Sequence, residues 1–246
     1  MIPFKQKIII SEMDILIENL RKTYGNQTVI DIPRLTLRSG QLVGLVGNNG
    51  AGKTTLMRLI LDLIKADGGR VLSGGMLVSG DDTWKTYTGS YIDKRFLIDF
   101  YTPDEFFDFI GEVYAIDPDA LKHRLEAFAP LMRNEILGTG KYIRDFSEGN
   151  RQKIGIIGAM LIRPKVLILD EPFNYLDPSS QIVTARLIRQ MNKELGATVL
   201  ISSHNLNFIS EISDRVLLME KGSIVKDLLC ISGSAEQELQ AYFAAL

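Results

Sequence analysis

Hydrophobic and polar residues follow two patterns along this chain, and each pattern predicts a different kind of strand. Residues 13–20 and 28–37 alternate apolar and polar positions around a turn at 24–26, which predicts an antiparallel pair of half-buried strands. Other segments are apolar without alternation, as expected for parallel strands that are buried on both faces. These continuous segments are residues 41–46, 165–169 and 198–202.

Helical patterns and turn residues occupy most of the intervals between these strands. Apolar residues at helical spacing predict helices over residues 56–64, 146–162, 181–195 and 235–243. Turn residues separate shorter strands, which are predicted at residues 70–72, 76–78, 215–220 and 223–226. Strands that alternate with helices are typical of an α/β fold with a parallel core sheet, to which the alternating strands add an antiparallel β subdomain.

The segment 81–140 differs in character from the rest of the chain. It is rich in aromatic residues, and we predict that it is helical. Thr102 caps one helix with Pro103 at its first position, and Asp117 precedes Pro118 at the start of another. We therefore predict an inserted helical subdomain, whose aromatic residues form its own core and in part an apolar docking face.

A glycine-rich stretch between a strand and a helix carries the clearest chemical signal. Residues 47–55 read GNNGAGKTT and fit the phosphate-binding pattern G-x-x-x-x-G-K-[ST]. Glycines let the backbone wrap around an anion, and the helix that follows adds its positive end. We predict that Lys53 contacts the β- and γ-phosphates and that Thr54 ligates Mg²⁺, whereas an ordinary glycine-rich turn would need neither residue. The predicted nucleotide-binding residues are Gly47, Asn48, Asn49, Gly50, Ala51, Gly52, Lys53, Thr54 and Thr55.

Three polar residues follow two of the buried strands. Asp170 and Glu171 come after the strand at 165–169, and His204 comes after the strand at 198–202. Ligands bind at the carboxyl ends of parallel strands, so these side chains are expected beside the phosphate loop. Adjacent strand residues point to opposite sides, which gives the two acids different roles. We predict that Asp170 holds Mg²⁺ and that Glu171 polarises an attacking water.

Composition limits the classes of protein to which this chain can belong. The 246 residues are 46% hydrophobic and carry a formal net charge of −2, so no whole-chain field favours nucleic acid, and we expect no nucleic-acid partner. No apolar run approaches the roughly 20 residues of a membrane-spanning helix, and the apolar stretch near the N-terminus is too short for a signal peptide. A single cysteine, Cys230, suits a reducing cytoplasm. We expect one domain, with a core at 1–80 and 141–246 and the helical insert at about 81–140.

The order of these motifs resembles that of the ATP-binding subunit of ABC transporters along essentially the whole chain. The corresponding motifs are Walker A at 47–55, the signature motif as FSEGNRQK at 146–153, Walker B as VLILDE at 166–171, the D-loop at 174–177 and the switch histidine at 203–204. The stretch EPFNYLDP at 171–178 is also similar to the form that is common among exporters of the ABC-2 type.

The resemblance implies a P-loop NTPase core with the ABC ATPase fold, with ATP and Mg²⁺ as cofactors. It implies two partners, a second ATP-binding subunit and a transmembrane permease, and a peripheral position on the cytoplasmic face of the cell membrane. Tyr24 looks like the aromatic residue that stacks on adenine, although packing explains an aromatic residue there almost as well. The resemblance assigns catalytic roles to Lys53, Glu171 and His204, contact with the opposite subunit's ATP to Ser147 and Gly149, and a place in the nucleotide site to Asp177.

The chain departs from the family pattern at two motifs. In the signature motif, Glu148 stands where glycine is usual and Asn150 where glutamine is usual. We expect Arg151 and Lys153, one helical turn along, to neutralise part of the charge of Glu148.

The glutamine of the family's Q-loop has no clear counterpart either. By spacing, Asp93 is the nearest candidate, with Lys94 as the alternative if the alignment slips by one. A carboxylate at this place can ligate Mg²⁺ through water, so Asp93 is a predicted metal ligand. Weak hydrolysis or a loosened link to the membrane partner is the other expectation.

These features together predict the ATP-hydrolysing subunit of a membrane transporter. Export is implied only by the resemblance at 171–178, and the sequence itself does not give the direction of transport. Two chains that face each other head to tail would bury two ATP molecules. A soluble cassette ATPase that acts on nucleic acid or the ribosome is one alternative, and the near-neutral charge and the single cassette count against it. A module that senses ATP with weak hydrolysis is another alternative, which the unusual signature motif keeps open.

Overall fold

The computed structural model describes residues 13–230 together with Glu238, Leu239 and Tyr242. Within this part of the chain there are ten strands. They are β1 (Ile15–Tyr24), β2 (Gln27–Leu37), β3 (Leu42–Val46), β4 (Gly68–Ser73), β5 (Met76–Leu77), β6 (Thr88–Tyr91), β7 (Val166–Leu169), β8 (Thr198–Ser203), β9 (Arg215–Glu220) and β10 (Ser223–Leu229). An antiparallel sheet has the order β2-β1-β4-β5, and a larger sheet has the order β10-β9-β3-β8-β7-β6.

Seven α-helices connect or flank these strands in the described part of the chain. They are α1 (Lys53–Ile60), α2 (Pro103–Val113), α3 (Pro118–Glu126), α4 (Ala129–Met132), α5 (Glu148–Leu161), α6 (Pro178–Leu195) and α7 (Leu206–Ile212). Three short 3-10 helices lie at Thr83–Tyr87, Lys94–Phe96 and Ile143–Asp145. None of the described helices is long and apolar enough to cross a membrane.

The larger sheet is parallel except for its edge strand β10, and its central strands are covered on both faces. Every residue of β3, β7 and β8 is buried. Alternate residues of β3 enter two different cores. Val43 and Leu45 pack with β1, β2 and α1, whereas Leu42 and Val46 pack with α2, α5 and α6. Burial on both faces is the reason why these strands show no polar alternation in the sequence.

The strand order brings three chain segments to one edge of the larger sheet. β3, β8 and β7 are neighbours, with Val46 opposite Ser203 and Leu169 opposite Ile201. The residues that follow these parallel strands therefore leave the sheet side by side. This arrangement positions the glycine-rich loop after β3, the acidic pair after β7 and His204 after β8.

The predicted α/β architecture with an antiparallel subdomain is confirmed. β1 and β2 form the expected antiparallel pair, and β3, β7 and β8 are the expected parallel strands. The predicted hairpin near the end of the chain is β9 and β10. Both helix-start signals are also confirmed, since Thr102 forms a capping box with Glu105 and Asp117 caps α3.

Three predictions about helices need correction or fall outside the described residues. The prediction of helix throughout 81–140 is wrong for Thr88–Tyr91, which is strand β6 at the edge of the larger sheet, because four residues are too few to show a strand period. The helix predicted at 56–64 begins at Lys53 and ends at Ile60, and Asp62 then turns into a left-handed conformation with φ 49°. Most of the helix predicted at 235–243 lies outside the described residues.

Candidate functional site at the edge of the parallel sheet

The loop between β3 and α1 has a backbone that only glycine can adopt at its two ends. Gly47 has φ 157° and Gly52 has φ 109°. A Cβ atom on Gly47 would lie 2.3 Å from the Met219 carbonyl oxygen, and one on Gly52 would lie 2.9 Å from the Val29 carbonyl oxygen. The loop is therefore held tightly between β9 and β2. Between these ends Asn48, Asn49 and Gly50 are exposed and Ala51 is buried.

Lys53 is the first residue of α1, and its side chain turns back into the loop. It is only 7% exposed. Its Nζ donates to the Gly47 carbonyl oxygen at 2.7 Å and lies 3.6 Å from Oε1 of Glu171. A buried ammonium group is stable only beside anionic or carbonyl oxygens, so this position suits a cation that contacts phosphate. Thr55 follows on the same helix and is half-buried.

The side chains of Thr54, Asp170 and Ser202 form a chain of hydrogen bonds between α1, β7 and β8. The Thr54 hydroxyl donates to Oδ2 of Asp170 at 2.5 Å, and the Ser202 hydroxyl donates to Oδ1 of the same carboxylate. Burial raises the pKa of Asp170 above its ordinary value, although the hydrogen bonds from Ser202 and Thr54 act in the opposite direction.

This oxygen set fits Mg²⁺. The hydroxyl of Thr54 and the carboxylate of Asp170 are hard oxygen ligands, which this ion prefers. No group of three or more histidine, cysteine or acidic residues that could enclose a metal occurs among the described residues. Two protein oxygens and an open side suit an ion that keeps several waters and takes its other ligands from phosphates.

Glu171 follows Asp170 directly after the end of β7, and both side chains line the same cleft. Its Oε2 accepts a hydrogen bond of 3.0 Å from Nδ1 of His204, and its Oε1 faces Lys53. His204 is 64% exposed at its side chain and Glu171 22%. The structure thus brings together Lys53, Glu171 and His204, the three predicted catalytic residues.

Asp93 lies in the segment after β6, where it is engaged by arginine side chains. Its carboxylate accepts hydrogen bonds from the backbone N–H and the guanidinium of Arg95, and Arg58 of α1 lies 3.4 Å away. The hydrogen bonds from Arg95 lower the pKa of Asp93. Asp93 lines the same cleft as Asp170 and Glu171, but the contacts of its carboxylate are with Arg95 and Arg58.

Ser147 and Gly149 lie at the start of helix α5, from which Glu148 and Gln152 line this cleft. The Ser147 hydroxyl caps the helix by accepting from the Asn150 N–H at 3.3 Å. A Cβ atom on Gly149 would lie 2.7 Å from the Tyr175 carbonyl oxygen, so glycine allows the helix to approach the segment after β7. Among the described residues, neither Ser147 nor Gly149 contacts Lys53 or Thr54 of the phosphate loop through these interactions.

Glu148 is neutralised by a different residue from those expected. Its Oε1 accepts from Nζ of Lys94 at 2.8 Å, and this hydrogen bond is the main cause that lowers the pKa of Glu148. Arg151 makes a smaller contribution and bonds to Asp99 instead. Lys153 is buried, 4.0 Å from Glu135, so the expected contribution of Lys153 is wrong.

Two further predicted residues lie outside this central group. Tyr24 ends β1 and is 53% exposed, with Nζ of Lys22 5.3 Å from the centre of its ring. Asp177 caps α6 by accepting from the Ser180 N–H at 3.0 Å, and hydrogen bonds from Ser179 and Ser180 lower its pKa. Tyr24 is thus open to an aromatic ligand, whereas the Asp177 carboxylate is used within its own helix start.

Sequence reasoning missed two buried polar side chains at this site. Ser202, in β8, accepts from the Glu171 N–H at 2.7 Å, and Gln152, in α5, donates to the Glu171 carbonyl oxygen at 3.0 Å. For Ser202 the available signal was a polar residue directly after the apolar run 199–201, at the end of the strand that reaches the ligand edge. For Gln152 the signal was a polar residue on the buried face of a helix.

Comparison with known proteins identifies the family. The family model described as ABC transporter matches residues 30–174. An uncharacterized ABC transporter ATP-binding protein of Synechocystis is 34% identical over 86% of this chain, which spans 59% of that protein. A probable sulfate/thiosulfate import ATP-binding protein of Chlorella vulgaris is 31% identical over 87% of this chain and 90% of its own length.

A solved structure agrees at the level of the fold. The dimeric structure of a bacterial ABC transporter cassette superimposes with a TM-score of 0.78, over 89% of this chain and 99% of that one, at 22% identity. The ABC ATPase fold and ATP as the ligand, both expected from the motifs, are confirmed. The chain therefore belongs to the ABC transporter family, as one of its ATP-binding proteins.

Proposed function

We propose that this chain is the ATP-hydrolysing subunit of an ABC transporter and that it works as a dimer around two ATP molecules with Mg²⁺. The observation that carries the proposal is the grouping of Lys53, Thr54, Asp170, Glu171 and His204 at one edge of the sheet, through the contacts described above. These are the side chains that phosphoryl transfer to water needs: a phosphate-binding cation, metal ligands and a base.

Each residue has a separate role in this mechanism. The loop N–H groups and Lys53 bind the phosphates. Thr54 and Asp170 would hold Mg²⁺, which would supply positive charge to offset the negative charge of the phosphates. Glu171 orients the attacking water and accepts its proton. The hydrogen bond of 3.0 Å from His204 fixes Oε2 of Glu171, and the other oxygen, Oε1, which lies 3.6 Å from Lys53, accepts the hydrogen bond of the water.

The start of α5 supplies the contact with the second subunit. Ser147 and Glu148 are exposed there, although Lys94 forms an ion pair with the Glu148 side chain. The free N–H groups at a helix start can donate hydrogen bonds to an anion. The γ-phosphate of an ATP bound by a facing chain would be such an anion. A two-fold axis then gives each ATP one phosphate loop and one signature motif.

We expect ATP with Mg²⁺ to shift the Glu171→Gln variant from monomer to dimer, because a ligand that binds the dimer better than the monomer favours the dimer by mass action. Light scattering measures the shift. In the same background Ser147→Ala should raise the ATP concentration that gives half dimer at least about 10-fold, the value of one hydrogen bond to a charged group.

Thr102→Ala is the matched control for this experiment. It also removes the side-chain cap of a helix, that of α2, but its site is outside the cleft. The control should dimerise like its parent. A protein that stays monomeric at every ATP concentration would count against the role of Ser147 and Gly149 toward a second subunit.

Glu148 should have little effect on hydrolysis, because Lys94 already neutralises it within the chain. We expect Glu148→Gly to change turnover by less than about twofold and the melting temperature by less than about 3 °C, as for other exposed ion pairs. Turnover measured at low and high salt checks this. A rise in turnover that shrinks with added salt would mean that Glu148 repels the partner's phosphate.

A membrane permease is the partner that we propose, with this chain on the cytoplasmic face of the membrane. In support, exposed aromatic side chains are concentrated in and around the helical region, where Phe96 is 53% and Phe100 67% exposed. Phe96 and Tyr114 also line a groove beside the edge strand β6. Copurification of a membrane protein with this chain is the measurement that tests the partnership.

We propose export as the direction of transport. The support is the stretch EPFNYLDP at 171–178, which resembles the ABC-2 exporter form. The Chlorella relative, in contrast, is named for import. Transport assays with inside-out vesicles that contain the copurified permease distinguish the two, because an exporter takes up its substrate into such vesicles when ATP is outside.

A further inference from the structure

The backbone of Glu171 has an unusual conformation. Its φ is 47°, in the left-handed region that residues with a side chain seldom adopt. Such a conformation persists only where surrounding groups hold it. Three groups bond to this one residue's backbone: the Ser202 hydroxyl at the N–H, and the Gln152 side chain and the Asn174 N–H at the carbonyl oxygen.

Ser202 connects the two acids of the site. Its hydroxyl accepts from the Glu171 N–H at 2.7 Å and donates to the Asp170 carboxylate. The residue is completely buried, so water does not compete for these hydrogen bonds. One hydroxyl therefore fixes the direction of the metal-binding carboxylate and the start of the turn that carries the base.

Gln152 connects the base to the signature helix. It lies in the second turn of α5, one turn after Glu148, and is 7% exposed. Its Nε2 donates to the Glu171 carbonyl oxygen at 3.0 Å. A displacement of α5 relative to β7 would break or bend this hydrogen bond, so the position of the signature helix acts directly on the backbone of Glu171.

We infer that Ser202 and Gln152 are positioning residues for hydrolysis: they hold the backbone of Glu171 from both sides and thereby aim its carboxylate at the attacking water. The inference rests on the proposed function, in which Glu171 is the base. Neither residue touches ATP or water in this role. Ser202 ties the base to the metal ligand Asp170, and Gln152 ties it to the helix that meets the second subunit.

The kinetic test uses Ser202→Ala and Gln152→Met, which remove the hydrogen-bonding groups with little change in shape. Each should lower kcat about 10- to 100-fold, the usual cost of a misplaced catalytic group, with the KM for ATP changed by less than about threefold. Ser202→Thr, which keeps the hydroxyl, should recover most of the activity. Ser73→Ala, which removes another buried hydroxyl in the antiparallel sheet, should match the wild type.

A second test needs no ATP. Hydrogen exchange of the backbone amide of Glu171 should become faster in Ser202→Ala, because its acceptor is lost, and should stay slow in Ser73→Ala. Unchanged exchange at Glu171 in a folded Ser202→Ala variant overturns the role of Ser202. Melting curves of all variants establish that they are folded.

Double variants separate this inference from the proposed function. In the Glu171→Gln background, Gln152→Met should lower turnover no further, because the group that it positions is already gone. Ser202→Ala is left out of this comparison, because Ser202 also bonds to the metal ligand Asp170. Effects that add to that of Glu171→Gln overturn the inference alone. If Glu171→Gln itself leaves turnover unchanged, the proposed role of the base is wrong, whatever Ser202 and Gln152 do.

Discussion

Glu171→Gln will bind ATP about as well as the wild type and hydrolyse it about 10²- to 10⁴-fold more slowly, the usual share of a general base. The substitution keeps the shape of the side chain and removes its ability to accept a proton. Lys53 remains beside the loop to bind phosphate, since its Nζ also donates to the Gly47 carbonyl oxygen. Phosphate release and equilibrium binding of a fluorescent ATP analogue measure the two quantities separately.

Glu126→Gln provides the matched control for this prediction. Glu126 ends α3, and its side chain is 65% exposed beside His123. The same loss of charge there should leave both turnover and ATP affinity at the wild-type values. Wild-type turnover in Glu171→Gln would remove Glu171 from the mechanism, and a large loss of ATP affinity would assign it to binding instead.

Asp170→Asn will lose the response to Mg²⁺ without losing stability. Burial raises the pKa of Asp170, so its ionised form costs free energy in the folded protein at neutral pH. Removing the charge relieves that cost, and the protein without nucleotide should melt at the same temperature as the wild type or higher. Any such gain should disappear as the pH falls below the ordinary carboxyl value of 3.8, where the folded and unfolded states are both protonated.

Without a carboxylate at this position, Mg²⁺ should no longer raise the melting temperature in the presence of ATP, and turnover should fall at least about 10²-fold. Thermal melting of the variant with ATP, with and without Mg²⁺, measures the first effect. A Mg²⁺ response equal to that of the wild type would contradict the role of Asp170.

Asp93→Asn is the informative comparison because the pKa shift of Asp93 has the opposite sign. Its pKa is lowered by Arg95, so the ionised form stabilises the fold at neutral pH, and this contribution is lost as the pH falls through the lowered value. The variant should therefore melt at a lower temperature than the wild type at pH 7. A weakened Mg²⁺ response as well would support the predicted role of Asp93 as a metal ligand.

The sequence was sufficient to predict those parts of the site that consist of contiguous residues directly after strands. The glycines of the loop at 47–55 specify its backbone conformation within the loop itself. Asp170 and His204 could be placed beside the loop because parallel strands end at a common edge. Gln152 and Ser202 could not be assigned in this way. Their contacts with Glu171 depend on how α5 and β8 pack against β7. The local pattern of hydrophobic and polar residues does not predict this packing.

The partner of Glu148 illustrates the same limit. Spacing along a helix pointed to Arg151 and Lys153, but the ion pair is made by Lys94, 54 positions earlier in the chain. Local spacing gives the residues that are able to meet, and tertiary packing decides which of them do. Strand β6 was missed for a related reason, because its four residues acquire their pairing only beside β7.

The position of β3 in the larger sheet has a consequence for how the protein is made. β3 pairs only with β8 and β9 in the described structure, and both are encoded more than 150 residues after it. While the chain is being synthesised, both edges of this apolar strand therefore lack their partners until β8 and β9 have left the ribosome. Unpaired apolar strands are prone to aggregate, and pairing over such sequence distances is slow. We therefore expect a chaperone or transient local contacts to protect the nascent chain until β8 and β9 emerge, and nucleotide to stabilise the fold only after that point.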